Sequence, residues 1–377
     1  MRLRNGASAW AVGSVLVLLA VAAVGAQQPP TFKSSVDLVR LDVTVVDGQG
    51  RPIDDLAPDE FEVRVNGIVT PVAALRFLEF GTLTPATALG TAMASATGAS
   101  PGGRIIVLAV DEVSLPRSDS ARPLMETLAA WIERLTPADR MSIEALPKPG
   151  LRQKLTSDKP ALKRTVYKLR ARPPAIPERP GVSGYGGNSP PPSGGNTYER
   201  AGGHPTFIGP EAFSMASDQG MLLVAVEDLV RSLTGVDGPK TLVLVSAGLG
   251  FDSGLLSRYH TIAALANQAR VRVYVLQPHL GKSNVSGNRS EQQTDSRGAA
   301  SDGSHFLAGL TGGAVFHAVA RAEGVVDRIE RETTGLYVVG LELPAGSPRN
   351  TRLDVTVKVR REGVTVRSPQ QVVTPAK

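Results

Sequence analysis

The chain predicts a doubly wound α/β fold, with a mostly parallel central sheet, one antiparallel edge strand and small all-β flanks. Three observations carry this. Ile105 to Val110 is an unbroken apolar run rich in β-branched residues, the pattern of a strand buried on both faces. Runs of the same kind recur at Thr241–Ser246 and Val271–Leu276, separated by helical patterns, as parallel strands with crossovers require. Finally, Arg140–Leu146 is joined to Leu151–Leu155 only by Pro147-Lys148-Pro149-Gly150, a link too short for a parallel crossover.

Composition permits this fold and narrows the functional classes. With 377 residues, 42% hydrophobic and 20% charged, the chain has room for one sizeable domain and a smaller one. The formal charge of +6 is dispersed, with no basic stripe interleaved with aromatics, so nucleic acid is not an expected partner. Cysteine is absent, which excludes thiol catalysis, thiolate metal sites and disulfides.

Residues 1–26 read as a secretory signal. Arg2 and Arg4 form the positive start, Trp10 to Val24 the apolar middle, and Val24-Gly25-Ala26 the cleavage site before Gln27. A secreted or periplasmic location follows, with membrane attachment only through an uncleaved signal. A small β module is expected over 36–80. In it Val39, Leu41, Val43 and Val45 alternate with Arg40, Asp42 and Thr44 as a half-buried strand. A second strand, Phe61–Val65, meets an Asn66-Gly67 hairpin turn, and a third strand returns over roughly Ile68 to Leu78. Residues 81–103, rich in Gly, Ala, Thr and Ser, suit a linker.

The α/β domain is expected over 104–335. After its first strand, Pro123–Leu135 carries a stripe of Leu124, Leu128, Trp131, Ile132 and Leu135, with proline at the start of the helix. Asp158 offers an N-cap to a helix over Lys159–Arg170. Low-complexity insertions are expected at 171–210 and 279–303, where Pro, Gly and Ser dominate. Helices are expected at about Glu211–Thr234, Leu256–Arg270, Ser304–Leu310 and Ala322–Glu332, with a short last strand at Gly313–Phe316. A β segment closes the chain over 336–368, with Leu353, Val355, Val357 and Val359 alternating with polar residues. The pattern leaves open whether these strands join the α/β sheet or the first β module.

Candidate chemistry gathers at the carboxyl ends of the strands, where ligands collect in open α/β sheets. Asp111 ends the first strand, and Ser114, Ser118 and Asp119 follow in its loop, an oxygen set suited in type to Mg²⁺. One carboxylate would hold that ion only weakly, and Ser118 and Ser120 fit helix-start capping equally well. Gly248-Leu249-Gly250-Phe251-Asp252-Ser253-Gly254 follows a strand, but its third glycine is one position late and the next strand ends Leu276-Gln277, without a ribose-binding acid. Gly281-Lys282-Ser283 lacks the first glycine of a phosphate loop. The five histidines, His204, His260, His279, His305 and His317, show no metal-ligand spacing, and no nucleophile elbow surrounds Ser246.

The order of elements, with its reversed third strand and Asp111 at the end of the first, resembles the von Willebrand factor type A domain. Over nearly all of 36–368 the chain is similar to a related family described from acidobacteria. The segments VDLVRLDVTVVDGQGRPIDDLAPDEFEV, GLYVVGLELP and RLDVTVKVRREGVTVRS carry that likeness. The resemblance implies a protein-binding role through a metal held by D-x-S-x-S, a threonine and an aspartate at the end of the fourth strand. Here Val113 and Leu115 stand in the serine positions, and the fourth strand ends Val245-Ser246-Ala247-Gly248 without its aspartate. Asp111, Ser114 and Asp252 are what remains, with Thr206 as a substitute threonine. The expectation is an exported, non-catalytic protein that binds a protein partner or scaffolds an envelope assembly, with a degenerate metal site and no small-molecule cofactor. The alternative is a secreted hydrolase or nucleotide-dependent enzyme using the loops at Asp111 and Gly248–Gly254.

Overall fold

The computed structural model describes residues 38–81, 102–113, 115, 121–147, 151–169, 210–278, 302–318, 322–343 and 348–374. The signal segment 1–26, most of the linker and all but the last one or two residues of each insertion lie outside the described residues, as do Ser114, Thr206 and the 281–283 triplet.

The apolar runs assemble into a six-stranded sheet. Its strands are β5 (Ile105–Asp111), β6 (Arg140–Leu146), β7 (Arg152–Thr156), β8 (Lys240–Val245), β9 (Val271–Pro278) and β10 (Val315–Ala318). Their order is β10-β9-β8-β5-β6-β7, so β5 is central. Every pair is parallel except β6 with β7. The expected reversed edge strand is therefore present, as the four-residue link demanded. All seven residues of β5 are buried because helices cover both sides.

On one face Ile106, Leu108 and Val110 pack against α1 (Arg122–Arg134), α2 (Lys159–Val166) and α6 (Glu323–Glu332), with Trp131 and Ile132 of α1 almost fully enclosed. On the other, Val107 and Ala109 meet α3 (Pro210–Ser232), α4 (Leu256–Gln268) and α5, a helix over 302–311. Each large aliphatic side chain sealed this way contributes about 1.5–3 kcal/mol. Asp158 caps α2 as its position predicted, accepting from Ala161 N at 3.0 Å. The helix ends sooner than expected, at Val166 rather than Arg170. Among the described residues no helix is long and apolar enough to cross a membrane.

The flanking strands form a second body. They are β1 (Leu38–Val46), β2 (Phe61–Val65), β3 (Ile68–Thr70), β4 (Val72–Glu79), β11 (Gly335–Glu342), β12 (Arg352–Val359), β13 (Thr365–Arg367) and β14 (Gln371–Val373). They make two four-stranded sheets, β13-β1-β11-β4 and β14-β12-β2-β3. Leu41, Val43, Val63, Tyr337, Val339 and Val355 fill the shared core between them. The question left open by the pattern is thus answered: the C-terminal strands interleave with the N-terminal ones and do not extend the parallel sheet. Neither segment could close a core alone, since each supplies strands to both layers. The β region also continues past 368, through β14.

Two expectations need correction. The single strand over Ile68–Leu78 is two strands in different sheets, and the chain changes layer at Pro71, whose missing N–H interrupts a continuous ladder. The polar side of β1 was expected to face water, yet Asp42 is 9% and Thr44 0% exposed. Both are covered by the α/β body, where Arg270 and Arg272 receive them.

The Asn66-Gly67 turn forms as expected, with φ of 49° and 80° and Val65 facing Ile68. Gly67→Ala places a Cβ in a left-handed conformation, although the space around it is open. A loss of about 1 kcal/mol is expected in urea unfolding. An unchanged midpoint would show that the turn relaxes.

Candidate functional site

Strand order reverses between β5 and β8, because the chain leaves β5 toward β6 on one side and returns to β8 on the other. In such sheets the crevice beyond the carboxyl ends at this point is where ligands bind. Val110 pairs with Val245, so the next residues, Asp111 and Ser246, stand side by side at the crevice.

They bond to each other. Ser246 Oγ donates to Asp111 Oδ2 at 2.9 Å, while Val113 N donates to Oδ1 at 3.1 Å. The same hydroxyl accepts from Gly248 N at 3.2 Å, which draws the loop after β8 over the strand end. Asp111 is 4% exposed, Ser246 0% and Glu112 6%. Glu112 N donates to Leu146 O at 3.1 Å, tying this rim to β6.

The glycine-bearing loop is anchored along its length. Ser304 Oγ on α5 accepts from Leu249 N at 3.0 Å and from Gln277 Nε2 at 3.1 Å, and the Tyr259 hydroxyl donates to the Gly250 carbonyl. Burial pushes the Tyr259 hydroxyl above its ordinary range, so it stays a donor. A Cβ on Gly303 would lie 2.2 Å from Leu249 O and 2.4 Å from the Tyr259 hydroxyl. Gly303, and Gly250 whose Cβ would lie 1.8 Å from Gln219 Oε1, permit close packing of the loop on its neighbouring helices. One large side chain is left outward: Phe251 is 40% exposed, with its ring edge-on to Phe306 at 5.3 Å.

The residues expected to hold a metal divide accordingly. Asp111 is on the rim. Asp252 is exposed, and its Oδ1 accepts from Gly254 N at 2.7 Å and Ser253 Oγ at 3.3 Å, capping the short 3-10 turn Ser253–Leu255 that leads into α4. Ser114 lies outside the described residues. A resident divalent ion fits this set poorly, because the fourth strand offers a hydroxyl where a second carboxylate is needed. That hydroxyl also donates to the oxygen a cation would use. Among the described residues no group of three or more His, Asp or Glu side chains converges where a metal could be held.

Sequence reading missed Ser246 as the partner of Asp111. Ile105–Val110 is in register with Lys240–Val245, so Ser246 meets Asp111 only once the pairing of β5 with β8 is known. The Ser304–Gln277 brace had no local signal, as it joins residues of different elements. In comparison with known proteins, the chain matches no family model and no curated protein.

Proposed function

We propose that the chain is an exported, non-catalytic protein that recognises another protein, or scaffolds an envelope assembly, through the carboxyl-edge rim of a von Willebrand factor A-like domain with a degenerate metal site. The observation that carries this reading is Phe251, an exposed aromatic on a loop braced at Gly248, Leu249 and Gly250. A rigid aromatic costs little entropy to place in a partner's pocket, which is why such side chains dominate binding energy at interfaces. The strand order with its reversed edge supports the domain likeness, and the Asp111–Ser246 bond supports a rim that works without a resident ion.

The test is crosslinking and mass spectrometry of the full chain in its native cell envelope, comparing wild type with Phe251→Ala. The side chain is partly exposed, so the variant should fold. Protein crosslinks at the rim should weaken about tenfold, in line with loss of a contact worth above 1 kcal/mol. The same spectra should contain a mature terminus at Gln27. Equal crosslinks from both proteins would refute the rim as the docking surface.

A further inference from the structure

A second site lies at the other end of the sheet. The seam between the sandwich and the α/β body opens into a cleft of about 890 Å³. Arg40 and Asp42 of β1, Arg270 and Arg272 at the start of β9, and Arg352 at the start of β12 line it. Because β9 runs parallel to its neighbours, its start is on the opposite edge from Asp111.

Charge in this cleft does not balance. Asp42 is the one carboxylate among its described lining residues, and it is already held by Arg270, which forks onto it at 2.7 and 2.8 Å. Arg40, Arg272 and Arg352 make no ion pair with any carboxylate among the described residues. Lys240 adds a further buried cation behind them, 2% exposed, with its ammonium donating to the carbonyls of Gly238 and Ala269 at 2.8 and 2.6 Å. Burial, and then the charge of Arg270, push its pKa down to about 8. Arg40 is likewise shifted down, by burial and then by Arg270, with Asp42 opposing.

Arg272 is the most exacting member. It is 4% exposed, donates from Nη1 to the Thr44 hydroxyl, and its buried Nε has no hydrogen-bond partner. A guanidinium taken out of water without a carboxylate is costly, and the field of an anion in the adjoining cleft would offset that cost. The rival explanation is that these arginines merely glue the two bodies together. Asp42 and Thr44 account for Arg270 and part of Arg272 in that way, but they leave Arg40 and Arg352 unexplained.

We propose that the cleft binds a small organic oxyanion carrying two or more negative charges, a phosphate ester or a polycarboxylate. Arginine forks match both groups bidentately, and the volume falls in the range of small-molecule pockets. Leu265 and Val372 on its walls offer apolar surface for the body of the ligand. Since both bodies contribute arginines, the ligand bridges them and stabilises their docking. The site does not rest on the rim reading, and either can fail alone.

Calorimetric titration of the full chain with inorganic pyrophosphate and with citrate, at constant ionic strength and with chloride as control, tests this. Saturable one-site binding is expected, weakened about tenfold by Arg40→Ala or Arg352→Ala, each deleting one charge-assisted contact at an exposed position. Preference for pyrophosphate assigns a phosphate ligand, and preference for citrate a carboxylate. Arg272→Met should abolish binding. The proposal is overturned if neither anion gives saturable heat, if both exposed variants bind as wild type does, or if Arg272→Met melts higher than wild type and binds unchanged.

Discussion

Asp139→Ala is expected to remove roughly 3–5 kcal/mol of stability, the usual cost of stranding one partner of a buried ion pair. Asp139 is 1% and Arg104 6% exposed. The carboxylate accepts from Arg104 Nη2 at 2.7 Å, Arg104 Nε at 3.1 Å, Arg104 N at 2.7 Å and Thr136 N at 2.8 Å. It therefore fixes the start of β5 against the turn after α1, and its loss leaves a buried guanidinium without a carboxylate and two backbone donors without their acceptor. Urea unfolding measures the effect. A loss under 1 kcal/mol would mean that water enters and solvates Arg104. The double variant Asp139→Leu with Arg104→Met should recover part of the loss, since no charge is left buried.

The same group predicts a pH dependence. Burial alone would raise the Asp139 pKa, but the Arg104 side chain and the N–H groups of Arg104 and Thr136 outweigh it and hold the carboxyl below its ordinary 3.8. With the folded pKa depressed, the stabilisation is fully present above about pH 4 and is lost as pH falls through the folded value. The stability gap between wild type and Asp139→Asn should be constant from neutral pH down to about 5 and shrink below 4. A gap that widened in acid would contradict the assignment.

Glu332→Ala should have an effect of similar size, about 3–5 kcal/mol, with a different signature. Glu332 closes α6 and is 0% exposed. Arg328 Nε donates to it at 2.6 Å, and Arg367 of β13 donates at 2.6 and 3.0 Å. Burial would lower the Arg367 pKa, but Glu332 more than compensates and leaves it raised, which marks the pair as attractive on balance. Arg367 also covers the Phe316 ring at 5.7 Å, and Arg328 reaches the Gly48 carbonyl at 2.8 Å. One carboxylate thus joins the α/β body to two segments of the sandwich, the turn after β1 and strand β13. Without it, two like charges face each other across the seam. Scanning calorimetry should show the single transition shift down and broaden or divide as the bodies uncouple. A single sharp transition with unchanged midpoint would show that the seam is held elsewhere.

The runs at Ile105, Thr241 and Val271 announced a sheet covered on both sides, because only burial on both faces rewards uninterrupted aliphatic residues. The short link after Leu146 announced the reversed edge, and Asn66-Gly67 its hairpin. Asp111 ends β5, as its place after six aliphatic residues predicts. Its partner was not seen, because a lone serine after a strand has no distinguishing pattern until the register of β5 against β8 is known. Glu332 read only as the polar end of an amphipathic helix, and Asp42 and Thr44 as the wet side of a strand.

By itself, then, the order of residues determined what is local: which segments extend, which coil, where the chain must turn, and which strand cannot run parallel. These follow from side-chain period, backbone sterics and loop length, and need no knowledge of distant segments. Tertiary structure alone decided that strands separated by more than 250 residues share one sandwich, that the polar side of β1 is buried, and that arginines from both bodies converge on one cleft. The reason is physical: an alternating strand specifies that it has two unlike faces, and only the partner that packs against the polar one determines whether that face meets water or counter-charge.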